Sequence, residues 1–417
     1  MTDYPKLVSN KVEENTLFRS LNDNGYRESA DKKIDEIVEL MDRGYDSRTI
    51  VNKLGKRFGK EISFLIEIAK SRIQTRGKFS RNNRLWLDQY TARYSTPELV
   101  SEYRARRITG NTVFDIGSGG GMQAIFFSKT NSVTGVERNR IRFLESKINA
   151  KVYEAHNLEL INSEWNPDEI GEERLDDAVI FSDPLRESGA MERELHDLVP
   201  SPEAIIRKYS RITGKFVFDI PPQTRRTRLD IDAETEYISV NGSLNRLTLY
   251  CGELKHADSS AVILPGEVRV EGSYKRPEFE VTDTPLELIE LPDPSLIYAG
   301  LVNEVKSLGE FRILGEDGRR ILLTSSSVPQ GQFPGKVYRK LMVAGKLDLA
   351  ESLRSIGAGK IYPRFALQPE ESYAMKNELE KNSAGEKPVY IFKVKQGYAL
   401  CEPVGDSLSQ FSNEQTI

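Results

Sequence analysis

The feature that most restricts how this chain can fold is a glycine cluster at residues 117–121. Val113-Phe114-Asp115-Ile116 is a short apolar run, Gly117-Ser118-Gly119-Gly120-Gly121 follows, and Gln123 to Ser128 opens a helix. Glycine reaches backbone conformations closed to other residues and lets the main chain turn tightly or approach a ligand. A strand that feeds such a turn and then a helix starts a β–α unit, which needs a sheet covered by helices. The texture repeats downstream. Ser132 to Glu137, Ala178 to Phe181 and Gly214 to Asp219 read as strands, Ala178 to Phe181 running into Asp183-Pro184 and the last stopped by Pro221-Pro222. Glu236 to Val240 and Arg246 to Tyr250 flank Asn241-Gly242, a hairpin signal. The expectation is an α/β, Rossmann-like, mostly parallel sheet closed by an antiparallel hairpin.

Acids around the loop indicate its ligand. A dinucleotide loop needs glycine at its first, third and sixth positions, and here the sixth is Met122. Asp115 stands two residues before the first glycine. A pyrophosphate has no use for that charge, whereas the ammonium of the methionine moiety of S-adenosylmethionine (SAM) would pair with it. Glu137, at the end of the second strand, can accept hydrogen bonds from both ribose hydroxyls. SAM is therefore expected along Asp115, Gly117, Gly119, Gly121 and Glu137, with NAD or an unliganded turn as the alternatives. Asn157 is a candidate for the adenine, against an ordinary loop role. Thr96 is a candidate for the methionine end, against a helix cap before Pro97.

Phe181-Ser182-Asp183-Pro184-Leu185-Arg186 falls at the carboxyl end of the fourth strand, where open α/β sheets bind ligands. Methyltransferases acting on exocyclic amines carry an acid or Asn, two prolines and an aromatic here. This chain has Asp183 and Pro184, lacks the second proline, and has Arg186 in the aromatic's place. Asp183, Pro184 and Arg186 form the expected catalytic set, with a helix cap as the other reading of Asp183. A ring nitrogen such as guanine N7 would need no general base; an exocyclic amine would have its N–H polarised by Asp183.

The flanks differ in character. Apolar residues at helical spacing near Ile34–Met41, Ile50–Leu54 and Ile62–Ile68 predict a helical domain over 1–108, ahead of a catalytic domain over 109–268 and an α+β domain over 269–417. The net charge of −4 gives no global argument for nucleic acid, but Lys70 to Arg107 holds ten Lys and Arg against three Asp and Glu. Arg72, Arg76, Lys78, Arg81 and Arg84 are expected to contact phosphates, together with Lys336, Arg339 and Lys340 of the last domain. Trp86 and Tyr90 either pack inward or stack on bases, and a solvated helix face is the competing reading of the run. Two cysteines and three histidines without ligand spacing predict no metal site and suit a reducing cytoplasm. Neither a signal peptide nor a membrane span is expected, and the oligomeric state is not readable.

These residues together resemble a family: class I SAM-dependent methyltransferases with a THUMP-like C-terminal domain, a group of RNA methyltransferases. The resemblance rests on Ala69 to Phe79, Tyr94 to Val100, Tyr103 to Arg107, the loop from Asp115 to Gly121, and Glu137. It continues through Asp183-Pro184-Leu185-Arg186 with Gly189 and Arg193, Glu236 to Ser239, and Pro292 to Val302. It implies a class I methyltransferase sheet, a ferredoxin-like or THUMP-like α+β domain that binds RNA, and methylation of a base in tRNA, guanine N7 or N2 being favoured. Two departures leave the acceptor atom open: Glu187 stands where the family has a second arginine, and Asp219-Ile220-Pro221-Pro222 replaces a lysine-containing segment. A protein or small-molecule methyltransferase and a non-catalytic RNA-binding protein are the alternatives.

Overall fold

The computed structural model describes residues 11–164, 175–186, 195, 198–224, 229–316, 320–365, 369–381 and 385–405. They form two compact units, Met1–Ala233 with Leu249–Lys255, and Glu234–Thr248 with His256–Ile417.

The first unit opens with helices α1 (Lys11–Asn22), α2 (Asn24–Asp42), α3 (Ser47–Phe58), α4 (Ile62–Gln74), α5 (Gln89–Tyr94) and α6 (Glu98–Arg107). Short acids start three of them: the carboxylates of Asp23, Asp46 and Asp88 accept from Tyr26, Thr49 and Thr91 backbone N–H groups. Then come β1 (Thr112–Ile116), α7 (Met122–Phe127), β2 (Ser132–Val136), α8 (Arg140–Tyr153), β3 (Leu158–Ile161), β4 (Val179–Ser182), a two-residue ladder of β5 (Leu185–Arg186) and β6 (Leu198–Val199), α9 (Pro202–Tyr209) and β7 (Phe216–Ile220).

The main strands run in the order β3-β2-β1-β4-β7, and every pair is parallel. Ile116 lies level with Val136 and Ser182, and Val136 with Ile161, so the strands end together. This is the Rossmann-like class I arrangement, and it puts four strand-end loops at one edge. Buried Val113, Val133, Val179, Phe181 and Val217 form the core on one face. The helical region shares a core with the sheet's own helix. Leu17, Ile34, Ile50, Leu65 and Ile68 pack in one cluster with Trp86 and with Phe143, Leu144 and Ile148 of α8.

The second unit holds β8 (Ala233–Val240) and most of β9 (Ser243–Cys251), joined by a turn with Asn241 and Gly242 at φ 52° and 76°, as the Asn-Gly pair predicts. β10 (Ser259–Leu264) adds parallel to β8, and β11 (Val268–Gly272) antiparallel to β10. Glu234 and Glu236 are fully buried there, and Arg269 pairs with both carboxylates. A separate sheet follows, built from β12 (Leu288–Pro292), α10 (Pro294–Ala299), β13 (Arg312–Glu316), β14 (Ile321–Ser325), β15 (Gly335–Ala344), α11 (Leu349–Ser355), β16 (Ala358–Pro363), α12 (Pro369–Lys381), β17 (Lys387–Val394) and β18 (Gly397–Pro403). Its order is β13-β14-β12-β15-β18-β17-β16, with β16–β17 parallel and the other recorded pairs antiparallel. The proline- and acid-containing stretch 277–294 holds β12. The basic segment Lys336–Lys340 lies inside β15. α10 ends at Gly300, which adopts φ 66°. No helix among the described residues is long and apolar enough to cross a membrane.

Candidate active site

The glycine loop leaves β1 directly. Gly117 and Ser118 N–H groups both donate to Val136 O, at 2.9 and 3.0 Å, which ties the turn to the end of β2. Gly119 sits at φ 56°, and its N–H donates to Glu137 Oε2 at 2.8 Å. Packing restricts the loop from two sides. A Cβ at Gly121 would lie 2.7 Å from the Ser146 Cβ of α8, and one at Gly120 2.5 Å from the Thr91 Cγ2 of α5. Asn149 of α8 donates to Gly120 O at 3.2 Å and to Trp86 O at 2.9 Å. The chain before α5 is thereby clamped against the loop.

Acids gather at this edge. Glu137, just past β2, also accepts from Asn139 N–H at 2.7 Å. Its carboxylate is thus held by the backbone of both neighbouring turns. Asp115 is 2% exposed, and its Oδ2 has no hydrogen-bond partner among the described residues. Burial pushes its carboxyl up to about 8, and the charges of Asp183 and Glu137 add to that. A buried acceptor without a donor, beside two more carboxylates, fits a cationic ligand group. The ammonium of SAM's methionine moiety supplies one, and this orphaned oxygen is the point at which the residues fit the cofactor. Asp183 follows β4 directly and is exposed, whereas Pro184 is buried. Arg186 lies in β5, and its side chain is outside the described residues, as are Gly189 and Arg193.

A residue that sequence reasoning counted only as surface charge proves central. Arg104 of α6 is 1% exposed. Its guanidinium lies 2.8 Å from the buried Asp219 of β7, donates to Gln123 Oε1 at 3.2 Å, and sits 5.9 Å from the Phe181 ring centre. Burial works against its charge, but Asp219, Tyr250 and Asp183 raise its pKa above the ordinary value. Asp219 belongs to the segment that departs from the resembled family. One signal was available: a basic residue flanked by buried Tyr103 and Ala105 belongs to an inward helix face.

Other expectations need correction. Asn157 precedes β3, and its backbone oxygen accepts from Val133 N–H at the amino ends of the strands. At about 3.3 Å per strand residue it lies roughly 10 Å or more from the loop edge. The residue at the correct end is Asn162, which donates to Glu137 O at 2.8 Å and Arg138 O at 3.2 Å. Thr96 is 4% exposed between α5 and α6; the cap of α6 is Pro97, without a side-chain hydrogen bond. Arg72 leaves the phosphate set because it is 3% exposed, ion-paired to Asp31, 3.3 Å from Asp35, and donating to Leu85 O at 3.1 Å. Trp86 packs inward, with its indole N–H donating to Asp31 at 3.2 Å. Of the remaining positions, Arg76, Arg81 and Arg84 are exposed and Lys78 is half-buried. Arg76 pairs with Asp42, Arg81 with Glu154 and Arg84 with Asp35, while Lys78 donates to Ala92 O and Arg93 O. In the second unit Lys340 pairs with Glu287, Arg339 is exposed and Lys336 half-buried.

The fold and this edge define a class I SAM-dependent methyltransferase. Residues 110–252 match the model of the family described as RNA cap guanine-N2 methyltransferase. A solved structure described as a putative methyltransferase from Porphyromonas gingivalis W83 is 17% identical, covers 90% of this chain and 99% of its own, and superimposes with a TM-score of 0.69. At that identity the likeness establishes the shared fold. The N-terminal domain of human METTL16 in complex with SAH is 13% identical over 45% of this chain and 82% of its own, with a TM-score of 0.33. M. capricolum TrmK in complex with SAH is 10% identical over 38% and 69%, with a TM-score of 0.28. No curated protein matches the chain.

Proposed function

We propose that this enzyme methylates guanine in RNA, at the exocyclic N2, with tRNA the first substrate class to test. The observation that carries the reading is the match of residues 110–252 to a guanine-N2 RNA methyltransferase family, together with an exposed carboxylate, Asp183, beside the buried Asp115.

SAM, when bound, supplies a methyl group on a sulfonium, ready for in-line displacement. Asp115 would pair with its ammonium and Glu137 with its ribose hydroxyls, which would fix the donor. Asp183 would accept from the guanine amine, orient its nitrogen towards the donor and take up the proton released as the nitrogen gains the methyl group and S-adenosylhomocysteine leaves. Arg104 holds Asp219 and Phe181 behind that strand end. Arg76, Arg81 and Arg84 keep 50%, 48% and 47% of their side-chain surface. Exposed ion pairs are worth about 0–1 kcal/mol, so these arginines can exchange a carboxylate for a phosphate. The domain limits 1–108, 109–268 and 269–417 remain part of this reading, with Lys336, Arg339 and Lys340 as distal contacts.

The test pairs methyl incorporation with cofactor binding. Wild-type enzyme with labelled SAM should label tRNA, and Asp183→Asn should lower kcat by about 10²–10⁴-fold, the range of general acid–base effects, with SAM affinity within a few-fold. Equal turnover in the variant would return Asp183 to a structural role.

A further inference from the structure

Helix α5 carries the feature that the cofactor site leaves unused. Its inner side is fixed: Thr91 abuts the glycine loop, and Ala92 packs with Leu87, Met122 and Phe126. Its outer side presents Tyr90 and Tyr94, four residues apart and so on one helical face. They are 42% and 48% exposed, with ring centres 4.6 Å apart and planes tilted by 46°. The Arg142 guanidinium lies 4.7 Å over Tyr90, is held from the other side by Asp88 at 3.2 Å, and feels the charge of Glu137. The ring pair thus lies on the helix whose Thr91 meets the glycine loop. Arg93 sits 5.5 Å over Tyr94 and is exposed. Arg76, Arg81 and Arg84 have carboxylate partners, but Arg93 forms no ion pair among the described residues.

We propose that Tyr90 and Tyr94 form an aromatic ledge beside the cofactor loop on which an unpaired nucleobase of the RNA substrate stacks, with Arg93 taking an adjacent phosphate. The inference rests on the RNA reading above and deepens it. It moves the nearest RNA contact from the paired arginines before α5 to α5 itself. Single-stranded RNA is bound by stacking on aromatic and guanidinium planes with cations along the backbone, and every base has a face to offer. A stacked neighbour beside the loop would leave the next nucleotide free to turn towards Asp183. Tyrosine suits the position because its ring binds a base while its hydroxyl tolerates water when the RNA is absent.

The experiment uses the full chain saturated with S-adenosylhomocysteine. Fluorescence anisotropy reads the binding of a labelled mixed-sequence single-stranded oligoribonucleotide and of labelled tRNA, calorimetry reads S-adenosylhomocysteine affinity, and a transfer assay reads KM and kcat for RNA. The double variant Tyr90→Ala/Tyr94→Ala should weaken RNA binding and raise the RNA KM by about tenfold or more, with S-adenosylhomocysteine affinity within twofold of wild type. Tyr90→Phe/Tyr94→Phe, which keeps the ring faces, should restore RNA binding to within about threefold, and Arg93→Gln should flatten the salt dependence by a little under one unit. RNA affinity and KM unchanged in the double alanine variant, while wild type methylates RNA, would overturn the ledge and leave the RNA reading intact. Loss of S-adenosylhomocysteine affinity would show that the pair holds the cofactor, and would also overturn it. A wild-type enzyme that neither binds nor methylates RNA would remove the RNA reading and the ledge together.

Discussion

Replacing Asp115 with Asn separates charge from shape at the cofactor site. In the ligand-free protein the buried carboxyl titrates at about 8, so it is largely protonated at neutral pH. Only the ionised form pairs with an ammonium, so binding SAM must release a proton below that value. The sign follows: with the free group's pKa above the working pH and the bound group's below it, affinity falls as pH falls. One unit below the pKa costs about 1.4 kcal/mol and two units about 2.7 kcal/mol. Wild-type affinity should therefore rise about tenfold between pH 6 and pH 7. Calorimetry in buffers of different ionisation enthalpy should count about one proton released. Asp115→Asn should bind with no such slope and release no proton. It should be weaker by about 1.5–3 kcal/mol near pH 7.5, the worth of a hydrogen bond to a charged group. The two affinities should converge towards pH 6, where the wild type bears its largest protonation penalty. A flat wild-type profile with no proton release would mean that Asp115 is already ionised in the free site, and the argument from its orphaned oxygen would fail.

Glu137→Ala should weaken SAM binding by about 1–3 kcal/mol, through loss of the ribose contacts and of the acceptor that orders Gly119 and Asn139. Calorimetry at fixed pH reads it. Arg104→Met should destabilise the protein by about 3–5 kcal/mol by removing the cation paired with the buried Asp219. Arg104→Met/Asp219→Leu, which removes both charges, should recover much of that in chemical denaturation, and equal losses in the two variants would show that packing, not charge, sets the cost.

The catalytic half of the fold was legible because its signals are local. A glycine cluster between an apolar run and a helix, strands ending in acids, and Asn-Gly at a hairpin each rest on a few adjacent residues. β1, β2, β4, β7 and the β8–β9 turn appear close to where those signals lie. Asp115, the loop glycines, Glu137 and Asp183 were singled out as candidates the same way, since each adjoins a strand end. What escaped depends on three-dimensional partners. The basic run looked unbalanced because Asp31, Asp35, Asp42 and Glu154, which pair with its arginines, lie far from them along the chain. Arg72 and Arg104 looked like surface charges because nothing local shows that Asp31 and Asp219 face them in the core. Asn157 was misplaced by the position of β3, which starts at Leu158 and so leaves Asn162 at the ligand edge. β12 carries no comparable signal, because Pro292 and the acids around it break the alternation of a strand.

The central claim is methyl transfer from SAM to guanine in RNA. Its most direct test is to incubate the enzyme with methyl-labelled SAM and unmodified tRNA, digest the RNA to nucleosides and identify the labelled one by chromatography and mass spectrometry. The account predicts label in N2-methylguanosine, absent with Asp183→Asn. Label in 7-methylguanosine would keep the enzyme class and move the acceptor to a ring nitrogen. Label in no nucleoside, with SAM consumed on a protein or small-molecule acceptor, would contradict the account.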